Sequence, residues 1–198
     1  MGTMKPIVIG ISGASGSVIA RQTMEALLAR DVPVALVCSN DARLVWQEEL
    51  DEPFSDALAR WREHPGFTYH AIGDMKAPIA SGTYPTAGMA VVPCSMATVA
   101  AIAHGLATNL LLRAADVTLK EQRRLVLVPR ETPLSAIHLE NLLKLARLGV
   151  VVMPPEPAFY LHPKGIEDVV SFTVGRILVA LGIQEGLDPG LQYRRRTE

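Results

Sequence analysis

Small hydroxyl residues and glycines follow several apolar runs of this 198-residue sequence, at the points where the runs end. The first run is followed by residues 12–16 (SGASG), and later runs by Ser39, by residues 93–98 (PCSMAT) and by residues 129–132 (PRET). Ligands of open parallel sheets bind beyond the carboxyl ends of the strands, so these segments are expected to meet at one edge. Hydroxyls, backbone N–H groups and an arginine are typical phosphate-binding groups. The pattern therefore predicts a phosphate or nucleotide site.

The glycine-rich turn at residues 10–16 (GISGASG) matches neither the dinucleotide fingerprint GxGxxG nor a P-loop. It predicts free backbone N–H groups at a helix N-terminus, where phosphate binds, but a tight turn with a serine cap explains it equally well. The second run ends at Ser39, where dinucleotide-binding folds carry an acidic residue for the ribose. This difference favours a mononucleotide such as FMN. Residues 95–98 fit a helix cap or a ligand-binding turn, and their place on the same edge favours the ligand.

Arg176 lies on an apolar helical stripe with Phe172, Thr173, Ala180 and Ile183. Burying a guanidinium without a partner is costly, so these surroundings call for an anion or a polar group. A ligand phosphate, a structural ion pair and an arginine that reaches solvent are the three interpretations.

Other charged residues have ordinary explanations. Arg113 and Lys120 share a helical face with Asp116 between them, which is typical of a salt bridge on a solvated surface. Glu131, at a strand end, fits a general acid or base, or a capping or ion-pairing group. Glu49 belongs to an acidic run whose spacing differs from that of magnesium-binding motifs, and this run is typical of solvated surface.

The five histidines and two cysteines show no metal-binding spacing, so we expect no metal site. No GxSxG nucleophile motif is present in the sequence. Cys94 follows an apolar strand, where a cysteine is usually a packing residue rather than a nucleophile.

Strand and helix patterns alternate along the chain, which predicts a mostly parallel sheet covered by helices on both faces. We expect one domain over residues 1–198, with a core at about residues 6–183 and a basic tail at 184–198. Strands are predicted at residues 6–11, 34–38, 68–72, 87–92, 125–128 and 150–153. Helices are predicted at residues 18–30, 41–50, 56–62, 98–103, 110–120, 135–147 and 166–181.

The composition argues against several classes of protein. A net charge of -1 disfavours a generally basic nucleic-acid binder. No apolar run reaches the ~18 residues of a membrane span, and the N-terminus does not resemble a signal peptide. Two cysteines favour a reduced, cytoplasmic compartment.

Together these segments resemble the flavin prenyltransferases of the UbiX type, in one register from about residue 6 to residue 183. The resemblance implies a single-domain α/β fold, Rossmann-like and flavodoxin-like, in three layers. It also implies a homo-oligomer, often a dodecamer, with active sites between subunits. The matching segments are residues 10–16 (GISGASG), 77–82 (APIASG), 92–98 (VPCSMAT), 113–141 (RAADVTLKEQRRLVLVPRETPLSAIHLEN), 154–160 (PPEPAFY) and 174–183 (VGRILVALGI).

The resemblance implies metal-free transfer of the dimethylallyl group of dimethylallyl monophosphate to N5 and C6 of reduced FMN. The product, prenylated FMN, is the cofactor of a UbiD-type decarboxylase. By matching position, FMN would be bound by Gly13, Ala14, Ser15, Ser39, Ser95, Met96, Ala97, Thr98 and Arg130. The prenyl donor would be bound by Ser81, Gly82, Arg113, Lys120, Tyr160 and Arg176. The catalytic residues would be Ser15 near flavin N5, Lys120, and two proton-handling carboxylates, Glu49 and Glu131.

The tail departs from the family pattern, because many relatives carry a tryptophan after the last helix where Tyr193 and Leu191 are nearest in this sequence. Either the contribution of the tail to the active site is altered or Tyr193 substitutes for that tryptophan.

Two alternative functions stay open. An FMN-binding oxidative cysteine decarboxylase would use an early histidine, which residues 6–62 lack. A non-catalytic flavin carrier would not need Glu49, Lys120 or Glu131.

Overall fold

The apolar runs form one six-stranded sheet in the order β3-β2-β1-β4-β5-β6, and every neighbouring pair is parallel. This computed structural model describes residues 4–193, so residues 194–198 of the predicted tail lie outside the described residues. The strands are β1 (Ile7–Ile11), β2 (Val34–Cys38), β3 (Phe67–His70), β4 (Gly88–Cys94), β5 (Arg124–Pro129) and β6 (Val151–Val152).

Helices connect the strands and cover both faces of the sheet. Short 3₁₀ turns, which we did not predict, lie at Pro78–Ala80, Phe159–Leu161 and Pro189–Leu191. No helix within residues 4–193 is long and apolar enough to cross a membrane. The α-helices are α1 (Ser17–Leu28), α2 (Asn40–Glu49), α3 (Phe54–Arg62), α4 (Met96–Ala103), α5 (Leu110–Lys120), α6 (Ala136–Arg147) and α7 (Ile166–Leu181).

Alternating side chains of the strands divide the core into two hydrophobic clusters. On β1, Ile7, Ile9 and Ile11 face one cluster and Val8 faces the other. Helices α1, α2, α3 and α7 contribute to the first cluster, and α4, α5 and α6 to the second. The three-layer α/β fold is therefore confirmed.

The strand order places a topological switch point between β1 and β4, because the chain leaves these neighbours in opposite directions. Ligands of doubly wound folds bind in the crevice beyond the carboxyl ends of such strands. The residues that follow β1 and β4 are therefore the first place to look for a site.

Candidate active site

Ser12 ties the loop after β1 to the end of β4. Its buried side chain donates a hydrogen bond to the carbonyl oxygen of Pro93 at 3.2 Å and accepts one from the backbone N–H of Ser95 at 2.8 Å. The loop at residues 12–16 and the turn at residues 95–98 therefore share one edge, as predicted. We had assigned Ser12 no role, because a serine in a glycine-rich turn carries no signal of a cross-strand partner.

The carboxylate of Glu49, at the end of α2, reaches across to the start of α1. It accepts hydrogen bonds from the backbone N–H groups of Gly16, at 3.0 and 3.1 Å, and of Ser17, at 2.7 Å. Burial alone would raise the pKa of Glu49, but hydrogen bonds from the Ser15 side chain, from these amides and from the Ser17 side chain lower it. Glu49 is thus held ionised beside the Ser15 hydroxyl.

This contact corrects one expectation of the sequence analysis. Free backbone N–H groups at the start of α1 were predicted to bind phosphate, but those of Gly16 and Ser17 are occupied by the Glu49 carboxylate. The sequence gives no sign that a carboxylate from another helix fills the N-terminus of α1, and FMN binding by Gly13, Ala14 and Ser15 stays a prediction.

Two serines cap helices at the same edge. Ser39 accepts a hydrogen bond from the Ala42 N–H at 3.1 Å, and Ser95 accepts one from the Thr98 N–H at 3.2 Å. The Ser95 hydroxyl also lies 3.0 Å from the Thr98 hydroxyl. The capping role that we weighed against ligand binding for residues 95–98 is therefore present, Ser39 caps α2 in the same way, and both hydroxyls are fixed at the edge.

The same edge is lined by small or buried residues on either side of the crevice. Ala14 and Met96 are buried, and Ala97 is exposed. Gly13 lies so close to α2 that a Cβ atom would stand 2.6 Å from the Cβ of Asp41. The loop can pass this closely to α2 only because residue 13 has no side chain.

Arg130 follows β5 at this edge and has a buried, unsatisfied group. Its backbone N–H donates to the carbonyl oxygen of Cys94 at 3.3 Å, but its side-chain Nε has no hydrogen-bond partner among the described residues. A buried donor left without an acceptor is destabilising, and most such groups in folded proteins are satisfied. A phosphate or flavin carbonyl oxygen would supply the acceptor, so the residues at this edge fit FMN.

Glu131 stands next to Arg130 on the exposed side of the edge. Its carboxylate accepts a hydrogen bond from the Thr132 N–H at 3.0 Å, a local contact that leaves the second oxygen available. Its position beyond β5 is compatible with a proton-handling role, which stays a prediction.

The cysteines are packing residues. Both are buried, and burial raises the pKa of Cys38 to about 12 and also raises that of Cys94. A thiol that stays protonated is a poor nucleophile, which removes Cys94 as a candidate. Within residues 4–193, no group of three or more His, Cys, Asp and Glu side chains could hold a metal ion.

Several residues predicted to bind the prenyl donor form a second cluster on α5. Arg113 donates from Nε to the carbonyl oxygen of Ala80 at 3.0 Å and pairs with Asp116 at 2.7 Å. Lys120 pairs with Glu121, and a Cβ atom on Gly82 would lie 2.5 Å from Nζ of Lys120. Ser81 lies in the same turn, with its hydroxyl 2.9 Å from that of Thr83.

Lys120 lies near the opposite ends of the strands from the Ser15–Glu49 pair and Arg130. Lys120 ends α5 just before β5 begins at Arg124, whereas Arg130 follows the carboxyl end of β5. At about 3.3 Å per residue, the rise from residue 124 to residue 130 is about 20 Å. Within one chain, Lys120 is therefore too far from the Ser15–Glu49 pair to share a site with it.

Tyr160 lies in the 3₁₀ turn at Phe159–Leu161 and contacts the tail. Its ring packs edge-on against that of Tyr193, with centroids 5.8 Å apart and an interplanar angle of 71°. Tyr193 was the candidate to replace a family tryptophan, and it lies beside a residue predicted to bind the donor. Its substitution for that tryptophan stays a prediction.

Arg176 is exposed on α7, so the apolar surroundings predicted for it are wrong for the single chain. The buried stripe of α7 is formed instead by Val170, Val174, Ile177 and Leu178. Phe172 and Ile183, which we placed around Arg176, are only half-buried. Helical spacing identified its neighbours but not which side of the helix meets the sheet. Arg176 also lies on the opposite sheet face from Arg113.

Comparisons with known proteins agree on one family. The family model described as "Flavoprotein" matches residues 1–178. The flavin prenyltransferase LpdB of Lactiplantibacillus plantarum is 51% identical over 93% of this chain and 97% of its own length. A crystal structure of AnUbiX (PadA1) with FMN and dimethylallyl pyrophosphate is 42% identical, with a TM-score of 0.87 over 98% of this chain and 99% of that one. A dodecameric FMN-dependent UbiX-like decarboxylase from Escherichia coli O157:H7 is 44% identical, with a TM-score of 0.84 over 89% of this chain and 94% of that one.

Proposed function

The chain belongs to the family of flavin prenyltransferases, and we propose that it joins the dimethylallyl group of dimethylallyl monophosphate to N5 and C6 of reduced FMN. The product is prenylated FMN, the cofactor of a UbiD-type decarboxylase. The observation that carries the proposal is the Glu49 carboxylate held by the backbone N–H groups of Gly16 and Ser17, beside Ser15, at the carboxyl edge of β1.

FMN, when bound, supplies the two nucleophilic ring positions that receive the prenyl group. The chain supplies their surroundings. Ser15, whose side chain lowers the pKa of the adjacent Glu49 carboxylate, is assigned the position near flavin N5. Arg130 offers its unsatisfied Nε–H to an acceptor on the flavin or its phosphate. Glu131 stands at the same edge as a second proton-handling group.

The donor carries a poor leaving group, and cations help it leave by stabilising the charge that develops on phosphate. We assign this role to Arg113, Lys120 and Arg176, together with the hydroxyl of Tyr160. Arg113 and Lys120 are paired with carboxylates in partly exposed positions, where such pairs are worth little. A phosphate dianion can therefore compete for both cations.

The rise of about 20 Å along β5 between the end that Lys120 precedes and the end that Arg130 follows supports a site built from more than one subunit. A homo-oligomer would bring the α5 cluster of one subunit to the Ser15–Glu49 pair of another. We propose an assembly like that of the dodecameric relative. Delivery of the product to a UbiD-type decarboxylase and a cytoplasmic location remain predictions.

The test is the mass of the bound flavin. The protein is incubated anaerobically with reduced FMN and either dimethylallyl monophosphate or the pyrophosphate found in the AnUbiX structure. The flavin is then released and weighed. We expect a gain of one C5H8 unit with the monophosphate, and its loss in Lys120→Ala. Unmodified FMN with every donor would reject the proposal and favour the flavin-carrier alternative.

A further inference from the structure

The segment at residues 81–86 connects the 3₁₀ turn at Pro78–Ala80 to β4 and contains no regular structure. One backbone hydrogen bond runs within it, from the Tyr84 N–H to the carbonyl oxygen of Ser81 at 3.2 Å. The segment carries Ser81 and Gly82, which border the predicted donor site. Its position must therefore be set largely by groups outside it.

A single side chain, that of Arg123, binds three acceptors of this segment. Nη2 donates to the carbonyl oxygen of Gly82 at 2.7 Å. Nη1 donates to the carbonyl oxygen of Tyr84 and to the hydroxyl of Thr86, both at 3.0 Å. Arginine suits this task because its planar fork presents several donors in fixed directions.

Arg123 is itself firmly placed. Its backbone N–H donates to the carbonyl oxygen of Thr118 at 2.9 Å, inside the last turn of α5. The preceding residue, Gln122, has a φ of 54°, a left-handed conformation that turns the chain sharply from α5 into β5. The half-buried guanidinium is thus anchored to the same helix end that carries Lys120.

Lys120 rests on the segment that Arg123 holds. Gly82 packs directly against the Lys120–Glu121 ion pair, because a Cβ atom there would meet Oε1 of Glu121 first and would lie 2.5 Å from Nζ of Lys120. The hydrogen bond and the charge of Lys120, and to a smaller extent the charge of Arg123, lower the pKa of Glu121. One continuous set of contacts therefore connects Arg123, Gly82, Lys120 and Glu121.

We propose that Arg123 is a positioning residue, which fixes Gly82 and thereby sets where the Lys120 ammonium meets the donor phosphate. This inference rests on the proposed function, because it needs Lys120 to bind that phosphate. Arg123 acts through Gly82 and Lys120 and makes no contact with the donor. A free lysine side chain has many rotamers, so a fixed surface beneath it lowers the entropy lost when phosphate binds.

The test is a double-mutant cycle on the intact, FMN-loaded oligomer, with the affinity for dimethylallyl monophosphate measured by calorimetry. Arg123→Gln is expected to weaken donor binding about tenfold, the effect of losing one charged hydrogen bond from Lys120 to the phosphate. FMN affinity should not change. Arg123→Lys should recover part of the loss, because an ammonium keeps the charge but not the fork. Arg124→Gln is the control, since the Arg124 guanidinium lies against Gly182 and outside this group.

The coupling between the effects of Arg123→Gln and Lys120→Ala on donor affinity shows whether Arg123 acts by positioning Lys120 or only stabilises the surrounding structure. Because Arg123 acts through Lys120, adding Arg123→Gln to Lys120→Ala should weaken donor binding by less than about twofold more. Fully additive losses, or equal donor affinity in Arg123→Gln and wild type, would overturn the inference. If the wild-type protein binds the donor but forms no prenylated FMN, the proposed function is wrong, and the double-mutant cycle still tests the positioning role of Arg123. If the wild-type protein does not bind the donor, the proposed function and the role of Arg123 are both wrong.

Discussion

Glu49 shows how one side chain can hold a site together, because its carboxylate joins α2 to the first turn of α1 and to Ser15. The hydrogen bonds that lower its pKa stabilise the fold only while the carboxylate is ionised. A depressed pKa contributes stability above the unfolded value, and this contribution is lost as pH falls through the folded value. The relevant window therefore begins near the ordinary value of 4.5 and extends below it.

We expect Glu49→Gln to lower the melting temperature at pH 7 by about 2–4 °C, which corresponds to about 1 kcal/mol after allowance for solvent screening. The difference from wild type should shrink as the pH is lowered below 4.5, because the wild-type carboxylate is then protonated too. Thermal melts across this range measure both effects. Glu48→Gln, at an exposed neighbouring position, is the control. A difference that does not depend on pH would contradict this role of the charge.

The cations are expected to separate donor use from flavin binding. Lys120→Ala and Arg176→Ala should each lower kcat/KM for dimethylallyl monophosphate about 10- to 100-fold, the range expected for a lost charge-assisted hydrogen bond. FMN affinity, measured by fluorescence, should stay the same. Lys144→Ala, at an exposed position of α6, should match wild type in both measurements. Unchanged turnover in both test variants would remove these residues from the donor site.

At the scale of elements, the close contact between the 81–86 segment and α5 makes a prediction of its own. Gly82→Ala would place a methyl group against Oε1 of Glu121 and 2.5 Å from Nζ of Lys120, and the flexible ends of both paired side chains must move aside. We expect the melting temperature to change by less than about 2 °C and KM for the donor to rise about tenfold. Gly73→Ala is the matched control, because a Cβ there meets nothing within 4 Å. Normal donor kinetics in Gly82→Ala would show that the position of Lys120 does not matter.

The elements themselves were largely predictable, and every predicted strand and helix is present with bounds within two residues. Strands such as Val34–Cys38 are buried at every position, so their continuous apolar runs are unambiguous. The 3₁₀ turns have no comparable period, and β6 is reduced to Val151–Val152. The three interpretations of Arg176, one of which was an arginine that reaches solvent, could not be separated from sequence, because the sequence does not reveal which face of α7 meets the sheet.

The candidate site was predictable in its residue types but not in its partners. Strand ends carrying serine, glycine and arginine identified the edge, because parallel strands bring such ends together. The contacts of Glu49 with α1 and of Arg123 with residues 82–86 join distant parts of the chain. No local spacing encodes such pairs. Spacing alone predicted that Glu49 and Lys120 lie on the solvated surface, and only the resemblance to the family assigned them to the site.

At the scale of the whole molecule, one chain holds the parts of the site at two edges and on both faces of the sheet. The Ser15–Glu49 pair and Arg130 lie beyond the carboxyl ends of the strands, and Lys120 lies near the start of β5. A closed symmetric assembly can bring unlike surfaces of neighbouring copies together at every interface. The proposed site therefore requires more than one copy of the chain, and we expect subunits that are inactive separately to complement each other.

We expect complementation between Glu49→Gln and Lys120→Ala, each of which should be nearly inactive alone. When the two variants are dissociated, mixed in equal amounts and reassembled, half of the subunits carry an intact Glu49 and the other half an intact Lys120. If each site takes Glu49 from one subunit and Lys120 from another, random mixing restores about one quarter of the wild-type sites. The readout is the yield of prenylated FMN, with each variant reassembled alone as the control. Recovery near zero in an assembly shown by mass to contain both variants would mean that each chain builds its own site.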